Sequence, residues 1–278
     1  MITGVKYDEI GPWSEVKLEI IRDYAAAYSR ILSAQKDPTL YHVYIDAFAG
    51  AGRHISKTTG EFVLGSPTNA LLVKPPFREY HLIDLDKKKA AELLALSQQY
   101  ESVNVYDDDC NDVLLETVFP KARYEDYRRA LCILDPYGLH LNWKVIYTAG
   151  KMQSIDIFLN FPVMDINMNV AKKNPDKVQQ QQAVRLTSFW GDESWKDDVY
   201  ISQPTLFGDE LVKQGNEKLA EAFRQRLKHV AGFKFVPKPL AMRNSTNAIV
   251  YYLYFASHKV VAKEIVEDIF GRYSKYNR

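Results

Sequence analysis

YHVYIDAFAGAG, residues 41–52, joins a short apolar run to a loop that contains two glycines. The run YHVYI is rich in aromatic and β-branched side chains and predicts a buried strand that ends at Asp46. In open α/β sheets a ligand binds beyond the carboxyl ends of the strands, and glycine there lets the backbone approach it closely. The segment Asp46–Gly52 is therefore a candidate ligand-binding loop, and a tight turn without a ligand is the alternative.

Predicted strands and helices alternate along the chain on both sides of this loop. A helix is expected over residues 14–34, with Ser14 as its cap, and a loop over residues 53–65. The elements that follow are a helix over 66–74, a strand over 80–83, a helix over 87–100, a strand over 103–106, a helix over 112–119, a strand over 131–134, a helix over 142–152 and a strand over 155–161. Such alternation predicts a mostly parallel sheet covered by helices on both faces.

The pattern changes after Pro162. Residues 165–230 are polar and lack strand signals, so we expect a helical insert or lid. Two strands over 233–240 and 248–256 and a last helix over 259–270 then return to the sheet. The sequence predicts one α/β domain over residues 1–278, with a Rossmann-like sheet of seven strands whose last strand is antiparallel to its neighbour. This order resembles the class I methyltransferase fold.

The composition is that of an ordinary globular protein. The chain has 278 residues, of which 46% are hydrophobic and 26% are charged. No apolar run reaches the roughly 18 residues of a membrane span, and the N-terminus lacks a signal-peptide core. We therefore expect a cytoplasmic protein without a membrane partner.

Cysteine and histidine form no pattern of a metal site. The two cysteines, Cys110 and Cys132, are not part of a CxxC motif, and the six histidines show no HxH or HExxH spacing. We expect no disulfide framework and no bound metal.

Charge is unevenly distributed, although the net charge is only +1. Residues 166–278 hold 18 Lys and Arg against 12 Asp and Glu, whereas residues 1–165 hold 18 against 23. A basic second half that includes Lys172, Lys173 and Lys177 can face a nucleic acid, and an uneven solvated surface is the equal alternative.

The glycine loop has the form DxFxGxG. A dinucleotide fingerprint needs a third glycine where this chain has Ile55, and no phosphate-binding GK[ST] sequence occurs. The DxFxGxG form is typical of S-adenosylmethionine (SAM) sites, so SAM is the expected cofactor. The expected contacts from this loop are Asp46, Phe48, Ala49, Gly50 and Gly52.

Carboxylates follow the next two predicted strands. Asp84 ends the apolar run of the second strand and can accept hydrogen bonds from the ribose hydroxyls. Asp86 is a second ribose candidate, and the alternative for it is a helix cap. Asp109 follows the third strand and can accept from the adenine amine, while Cys110 borders the ring; a solvated acidic loop is the alternative.

The segment Asp135-Pro136-Tyr137-Gly138 follows the fourth strand, where methyltransferases hold the methyl acceptor. It is similar to the (D/N/S)PP(Y/F) motif of enzymes that methylate exocyclic amines of bases. In that motif a carboxylate or amide and a backbone carbonyl bind the amine, and an aromatic ring stacks on the base. Here Tyr137 replaces the second proline and Gly138 takes the aromatic position, so stacking would pass to Tyr137 or Trp143.

Two further sites near this loop are weaker candidates. His140 lies close to the acceptor loop and is a candidate base, although a lone histidine is more often structural. Asn160-Phe161-Pro162 follows the fifth strand, and we expect it to line the acceptor cleft.

Together these motifs resemble the three-Cys-motif partner (TcmP) family. The resemblance extends over nearly the whole chain, in the segments 17–32, 44–53, 65–67, 82–86, 134–138 and 251–257. It implies a methyltransferase-like protein that works with a separate radical-SAM-like protein carrying three cysteines. The leading hypothesis is a methyltransferase, with a nucleic acid as the favoured acceptor. The alternatives are a non-catalytic SAM-binding partner subunit and an enzyme acting on a small molecule or a protein.

Overall fold

The structure is a computed structural model that describes residues 6–172, 177–205 and 208–274. Its strands are β1 (Glu9–Ile10), β2 (Tyr41–Asp46), β3 (Arg53–Ser56), β4 (Phe62–Leu64), β5 (Glu79–Ile83), β6 (Val103–Tyr106), β7 (Arg128–Leu134), β8 (Ile155–Phe161), β9 (Tyr200–Thr205), β10 (Gly208–Lys213), β11 (Leu240–Arg243) and β12 (Ile249–Ala256).

The α-helices of the described residues are α1 (Pro12–Ala34), α2 (Ser66–Leu71), α3 (Lys87–Ser97), α4 (Cys110–Asp112), α5 (Trp143–Met152), α6 (Val163–Asp165), α7 (Gln180–Trp190), α8 (Trp195–Val199), α9 (Asn216–Arg226) and α10 (Val260–Tyr273). Wider π-helical turns continue α4, α6 and α9 over Val113–Val118, Ile166–Val170 and Leu227–Ala231. None of the described helices is long and apolar enough to cross a bilayer.

A seven-stranded sheet organises the molecule, in the order β11-β12-β8-β7-β2-β5-β6. Strands β2, β5, β6, β7 and β8 are parallel, and β12 runs antiparallel to both β8 and β11. The predicted α/β class and the seven-stranded, mixed sheet are therefore confirmed, including the antiparallel last strand. Because parallel strands end on one edge, their carboxyl ends bring the predicted motifs together.

Hydrophobic layers cover both faces of this sheet. One layer contains Trp143, Phe161, Phe189 and Phe223, and the other contains buried residues of α1, α10 and the opposite strand faces, such as Tyr24. Every residue of β8 is buried, which explains why its sequence IDIFLNF is almost continuously apolar.

The ends of several elements differ from the prediction. Helix α1 begins at Pro12 with Gly11 as its cap, not at Ser14, because proline is well suited to the first helical turn. The strand predicted over 233–240 is replaced by β11, which begins only at Leu240. Pro237 and Pro239 cannot donate to a ladder, so regular pairing starts after them.

The insert over 165–230 is not purely helical, and that part of the prediction was wrong. Helices α7, α8 and α9 are joined by a two-stranded ribbon in which β9 pairs antiparallel with β10. Polar residues occur on both of its faces, so the ribbon lacks the alternation that predicts a half-buried strand. Lys173 lies outside the described residues.

The region predicted as a loop over 53–65 contains a small sheet. Strand β3 pairs antiparallel with β4, and β1 adds to β3 in parallel. The short segment before α1 is thereby held directly beside the glycine loop. This small sheet brings N-terminal side chains to the candidate site.

Candidate cofactor and acceptor site

Asp46 anchors the glycine loop to the end of β2. Its buried carboxylate accepts a hydrogen bond from the Phe48 amide (3.3 Å) and one from the Tyr44 hydroxyl (3.3 Å). Burial raises the pKa of Asp46 to about 6. The Asp46 side chain therefore holds the backbone of the glycine loop from its buried side.

Both glycines of the loop adopt left-handed conformations. Gly50 has φ +64° and Gly52 has φ +76°, values that other residues rarely adopt. A Cβ on Gly52 would also lie 3.0 Å from both the Leu96 and Thr68 side chains. The Gly52 carbonyl accepts from the Thr68 hydroxyl (2.6 Å) and from the Gly65 amide (2.9 Å). The GSP segment is thus packed against the loop.

Asp84 links the end of β5 to the glycine loop. One carboxylate oxygen accepts from the Gly50 amide (2.8 Å), and the other accepts from the Asp86 amide (2.9 Å). Asp86 itself caps α3, accepting from the Lys88 amide (2.8 Å) and the Lys89 amide (3.4 Å). The cap considered as the alternative for Asp86 is therefore present.

The segment after β6 is held by local hydrogen bonds. Asp109 caps α4 and accepts from the amide and the side-chain nitrogen of Asn111, at 2.7 and 2.8 Å. Asn111 in turn accepts from the Asn142 amide and donates to the His140 carbonyl. Burial raises the pKa of the Cys110 thiol to about 12, so Cys110 is a neutral wall residue and no nucleophile.

A cavity of about 540 Å³ lies at the carboxyl ends of β2, β5 and β6. Its wall contains five of the predicted cofactor residues together with the acceptor-loop residues Tyr137 and His140, and consists of Ala47, Phe48, Asp84, Leu85, Asp86, Lys89, Asp109, Cys110, Tyr137 and His140. We call it the cofactor cavity. Asp46, Ala49 and Gly52 lie behind its wall, where the Ala49 amide donates to the Ile83 carbonyl (2.9 Å).

A second cavity of about 360 Å³ adjoins the first and shares Phe48 and Tyr137 with it. We call it the acceptor cavity, because Asp135, Pro136 and Asn160 lie on its wall. Gly50 also lines this cavity.

A lysine that the sequence analysis missed is paired with Asp135 in the acceptor cavity. Lys17, on α1, forms an ion pair with the Asp135 carboxylate, and its ammonium lies 5.3 Å from the centre of the Tyr251 ring. Burial opposes the charge of Lys17, but Asp135, Tyr251 and Asp46 together outweigh burial, so the pKa of Lys17 is raised. One signal in the sequence could have indicated this lysine. Lys17 lies four residues before Ile21, and therefore on the apolar face of the helix, where a charged side chain needs a partner.

Tyr137 connects the acceptor loop to the N-terminal segment. Its hydroxyl donates to Asp8 (2.9 Å), and the same carboxylate oxygen accepts from the ammonium of Lys89 (2.6 Å). Lys89 also lies 5.8 Å from the centre of the Tyr137 ring. Asp8 thus links two residues of the cofactor-cavity wall, and no motif in the sequence singles it out.

Two buried polar atoms in the acceptor cavity have no hydrogen-bond partner in the described structure. They are the side-chain oxygen of Asn160, whose nitrogen donates to the Pro136 carbonyl (3.3 Å), and Nδ1 of His54. Burial lowers the pKa of His54, so its imidazole is neutral at pH 7. These atoms are free to meet polar groups of a bound molecule.

Trp143 is not available for stacking in this cavity, which corrects one expectation. It is 8% exposed, belongs to the hydrophobic core, and lies beneath the guanidinium of Arg226, 4.8 Å from the ring centre. Tyr137, by contrast, is 75% exposed. Among the described residues, no group of three or more His, Cys, Asp or Glu is arranged to hold a metal ion.

Comparison with known proteins identifies a similar fold. The chain is similar to the crystal structure of protein LPL1258 from Legionella pneumophila str. Philadelphia 1, described with family-model DUF519. The TM-score is 0.50 at 12% sequence identity, over 94% of this chain and 92% of that chain. No protein-family model and no curated protein matches the chain. At this identity the likeness concerns the fold alone.

Proposed function

We propose that this chain is a SAM-dependent methyltransferase with a class I, Rossmann-like methyltransferase fold. The observation that carries the proposal is the hydrogen bond between Asp84 and the Gly50 amide, which joins two strand ends around the cofactor cavity. The strand order, with β12 antiparallel between β8 and β11, supports the same class.

The wall of the cofactor cavity fits the parts of SAM. Asp84 would accept from ribose hydroxyls with lone pairs that its two backbone hydrogen bonds leave free. Phe48 and Cys110 supply apolar surface for the adenine, and Asp109 supplies an acceptor beside it. Gly50 lines the adjoining acceptor cavity, where an added Cβ would meet only His54, at 3.9 Å. Bound SAM supplies an electrophilic methyl group for transfer to a nucleophile.

The acceptor would bind over Asp135–Gly138. The ion pair with Lys17 fixes the position of the Asp135 carboxylate, and the unpartnered oxygen of Asn160 offers a second acceptor for an N–H or O–H group. The chain would therefore act chiefly by aligning the nucleophile and excluding water. We favour a nucleic acid as the acceptor because the second half of the chain is basic and Tyr137 is exposed for stacking.

A non-catalytic subunit is the second candidate, and one observation favours it. Asp135 is already paired with Lys17, and the Pro136 carbonyl already accepts from Asn160. Both groups that would hold an amine in the related motif are thus engaged within the chain. In this case the protein would bind SAM as the partner of a three-Cys-motif protein, as the TcmP resemblance implies.

Methyl transfer measured beside SAM binding separates the two candidates. The parent chain should bind SAM in calorimetry and label RNA, DNA or a metabolite extract with radioactive methyl groups. Asp135→Ala should bind SAM nearly as well and transfer methyl about 100-fold more slowly, because the acceptor loses its alignment. Asp165→Ala is a matched control, since Asp165 lines the same cavity and is paired with Arg185.

The outcomes have distinct meanings. SAM binding without labelling in any extract, with or without the companion protein, would favour the subunit. Equal loss of activity in both variants would mean that Asp135 has only a structural role. Absence of SAM binding would contradict both candidates.

The nucleic-acid acceptor is tested by salt dependence. Affinity that depends on phosphate contacts falls steeply as salt rises. The variant Lys172→Ala/Lys173→Ala/Lys177→Ala should bind RNA or DNA more weakly and with a smaller salt slope. No binding at low salt would redirect the search to small-molecule or protein acceptors.

A further inference from the structure

The largest of the cavities described lies at the opposite edge of the sheet from the cofactor cavity. It has a volume of about 640 Å³, within the range of small-molecule sites, and lies at the amino ends of β7 and β8. Tyr24, Tyr28 and Leu32 of α1 form one wall, and Ala262 and Ile265 of α10 form another. We call it the amino-edge cavity.

A buried carboxylate forms part of the lining of this cavity. Asp156 is only 9% exposed and accepts a hydrogen bond from the Tyr24 hydroxyl (3.2 Å). No ion pair of the described residues includes it, although a buried charge is costly without a counter-ion. Burial raises the pKa of Asp156 to about 6, although hydrogen bonds from the Ser257 and Tyr24 side chains and the charges of Lys259 and Arg129 oppose that rise.

Two cations line the same cavity without ion-pair partners in the described part of the chain. The guanidinium of Arg129 stacks on the Tyr124 ring, 3.5 Å from its centre, and the ammonium of Lys259 lies 3.4 Å from the Tyr124 hydroxyl. Tyr124 is 38% exposed, so this cluster lies toward solvent while Asp156 is buried. The cavity therefore combines a buried acid, an apolar body and more exposed bases.

We propose that the amino-edge cavity binds a small amphipathic zwitterion, with its ammonium on Asp156, its apolar body between α1 and α10, and its carboxylate on Arg129 and Lys259. The ammonium gives Asp156 a direct ion pair, which no described residue makes with it, while Lys259 and Arg129 act on it only at longer range. This site is independent of the proposed methyl transfer.

Three probes of similar size test the assignment of charges by calorimetry. They are 4-(aminomethyl)benzoate, which carries both groups, benzylamine, which lacks the carboxylate, and benzoate, which lacks the ammonium. We expect 4-(aminomethyl)benzoate to bind most tightly, benzylamine more weakly and benzoate most weakly. Tighter binding of benzoate than of benzylamine would overturn the role of Asp156.

Two test variants and one control variant establish the location. Asp156→Asn should weaken 4-(aminomethyl)benzoate roughly ten- to hundredfold, the range of a hydrogen bond to a charged group. Asp126→Asn, an exposed acid paired with Arg123, is the control and should bind like the parent. Ala262→Phe should fill the cavity and abolish binding of 4-(aminomethyl)benzoate. It tests the location independently if Asp156→Asn does not fold.

A third variant excludes the cofactor cavity. Asp84→Ala should leave the affinity of 4-(aminomethyl)benzoate unchanged, because Asp84 lies at the other edge of the sheet. Binding lost in Asp84→Ala, parent affinity in Asp156→Asn, or no binding of any probe at millimolar concentration would each refute the proposal.

Discussion

Replacing Lys17 by methionine tests how the acceptor cavity is held together. The Lys17 side chain is 10% exposed and that of Asp135 is 29% exposed, so the pair is neither a surface pair nor a fully buried one. Exposed pairs contribute about 0–1 kcal/mol, and breaking a buried pair costs about 3–5 kcal/mol. We therefore expect Lys17→Met to lower the free energy of unfolding by about 2–4 kcal/mol.

Urea denaturation followed by circular dichroism measures this loss. The double variant Lys17→Met/Asp135→Asn should lose less than the sum of the two single variants, because each single change leaves an unpaired charge. Lys263→Met is the matched control: Lys263 and Glu267 form an exposed pair on α10, and its loss should cost less than about 1 kcal/mol. Strict additivity of Lys17→Met and Asp135→Asn would refute the idea that this pair stabilises the cavity.

Three further predictions concern the carboxylates and the glycines of the site. Asp84→Ala should weaken SAM binding roughly ten- to hundredfold in calorimetry. Asp86→Ala should mainly remove the cap of α3 and lower the free energy of unfolding by about 1 kcal/mol in urea denaturation. A larger loss of SAM affinity in Asp86→Ala than in Asp84→Ala would contradict the ribose assignment. Burial raises the pKa of Asp46 to about 6. Protonated Asp46 therefore stabilises the folded state fully below about pH 4, and this stabilisation is lost as the pH rises through 6. Asp46→Asn should therefore remove roughly 3 kcal/mol from the fall in unfolding free energy between pH 4 and 6, and an unchanged pH profile would contradict this. Gly52→Ala should destabilise the chain by more than the roughly 1–2 kcal/mol of backbone strain. Gly60→Ala is the control and should cost less, because φ is also positive there but nothing lies within 4 Å of the added Cβ. Equal losses of unfolding free energy in the two variants would contradict the packing argument.

The strands of the main sheet were largely predictable because they are buried and apolar. Strands β2, β5, β6 and β8 occur where aromatic and β-branched runs predicted them, and the motifs at their carboxyl ends meet at one edge. The carboxyl ends of parallel strands lie at the same edge of a sheet, so motifs that follow successive strands in the sequence lie close together in space. The same argument could not reveal β1, because a strand of two residues carries no periodic pattern.

The side-chain partners of the site were less predictable. Lys17 and Asp135 are 118 residues apart, and nothing local in either segment indicates the other. Trp143 was expected near the acceptor because of its position after the acceptor loop, but its helix turns the ring into the core. Helix direction is set by packing of the whole layer, which a single segment does not encode.

The main sheet and the ribbon of β9 and β10 differ in the length of their outer strands, and this bears on association with other chains. The outer strands of the main sheet, β6 and β11, are four residues long, and β11 is irregular between Met242 and Arg243. Short and irregular edges offer little template for a foreign strand. Within the described residues the ribbon of β9 and β10 pairs only with itself, so it presents two outer edges of six residues each. Backbone pairing with another polypeptide is therefore easier along the ribbon than along the main sheet.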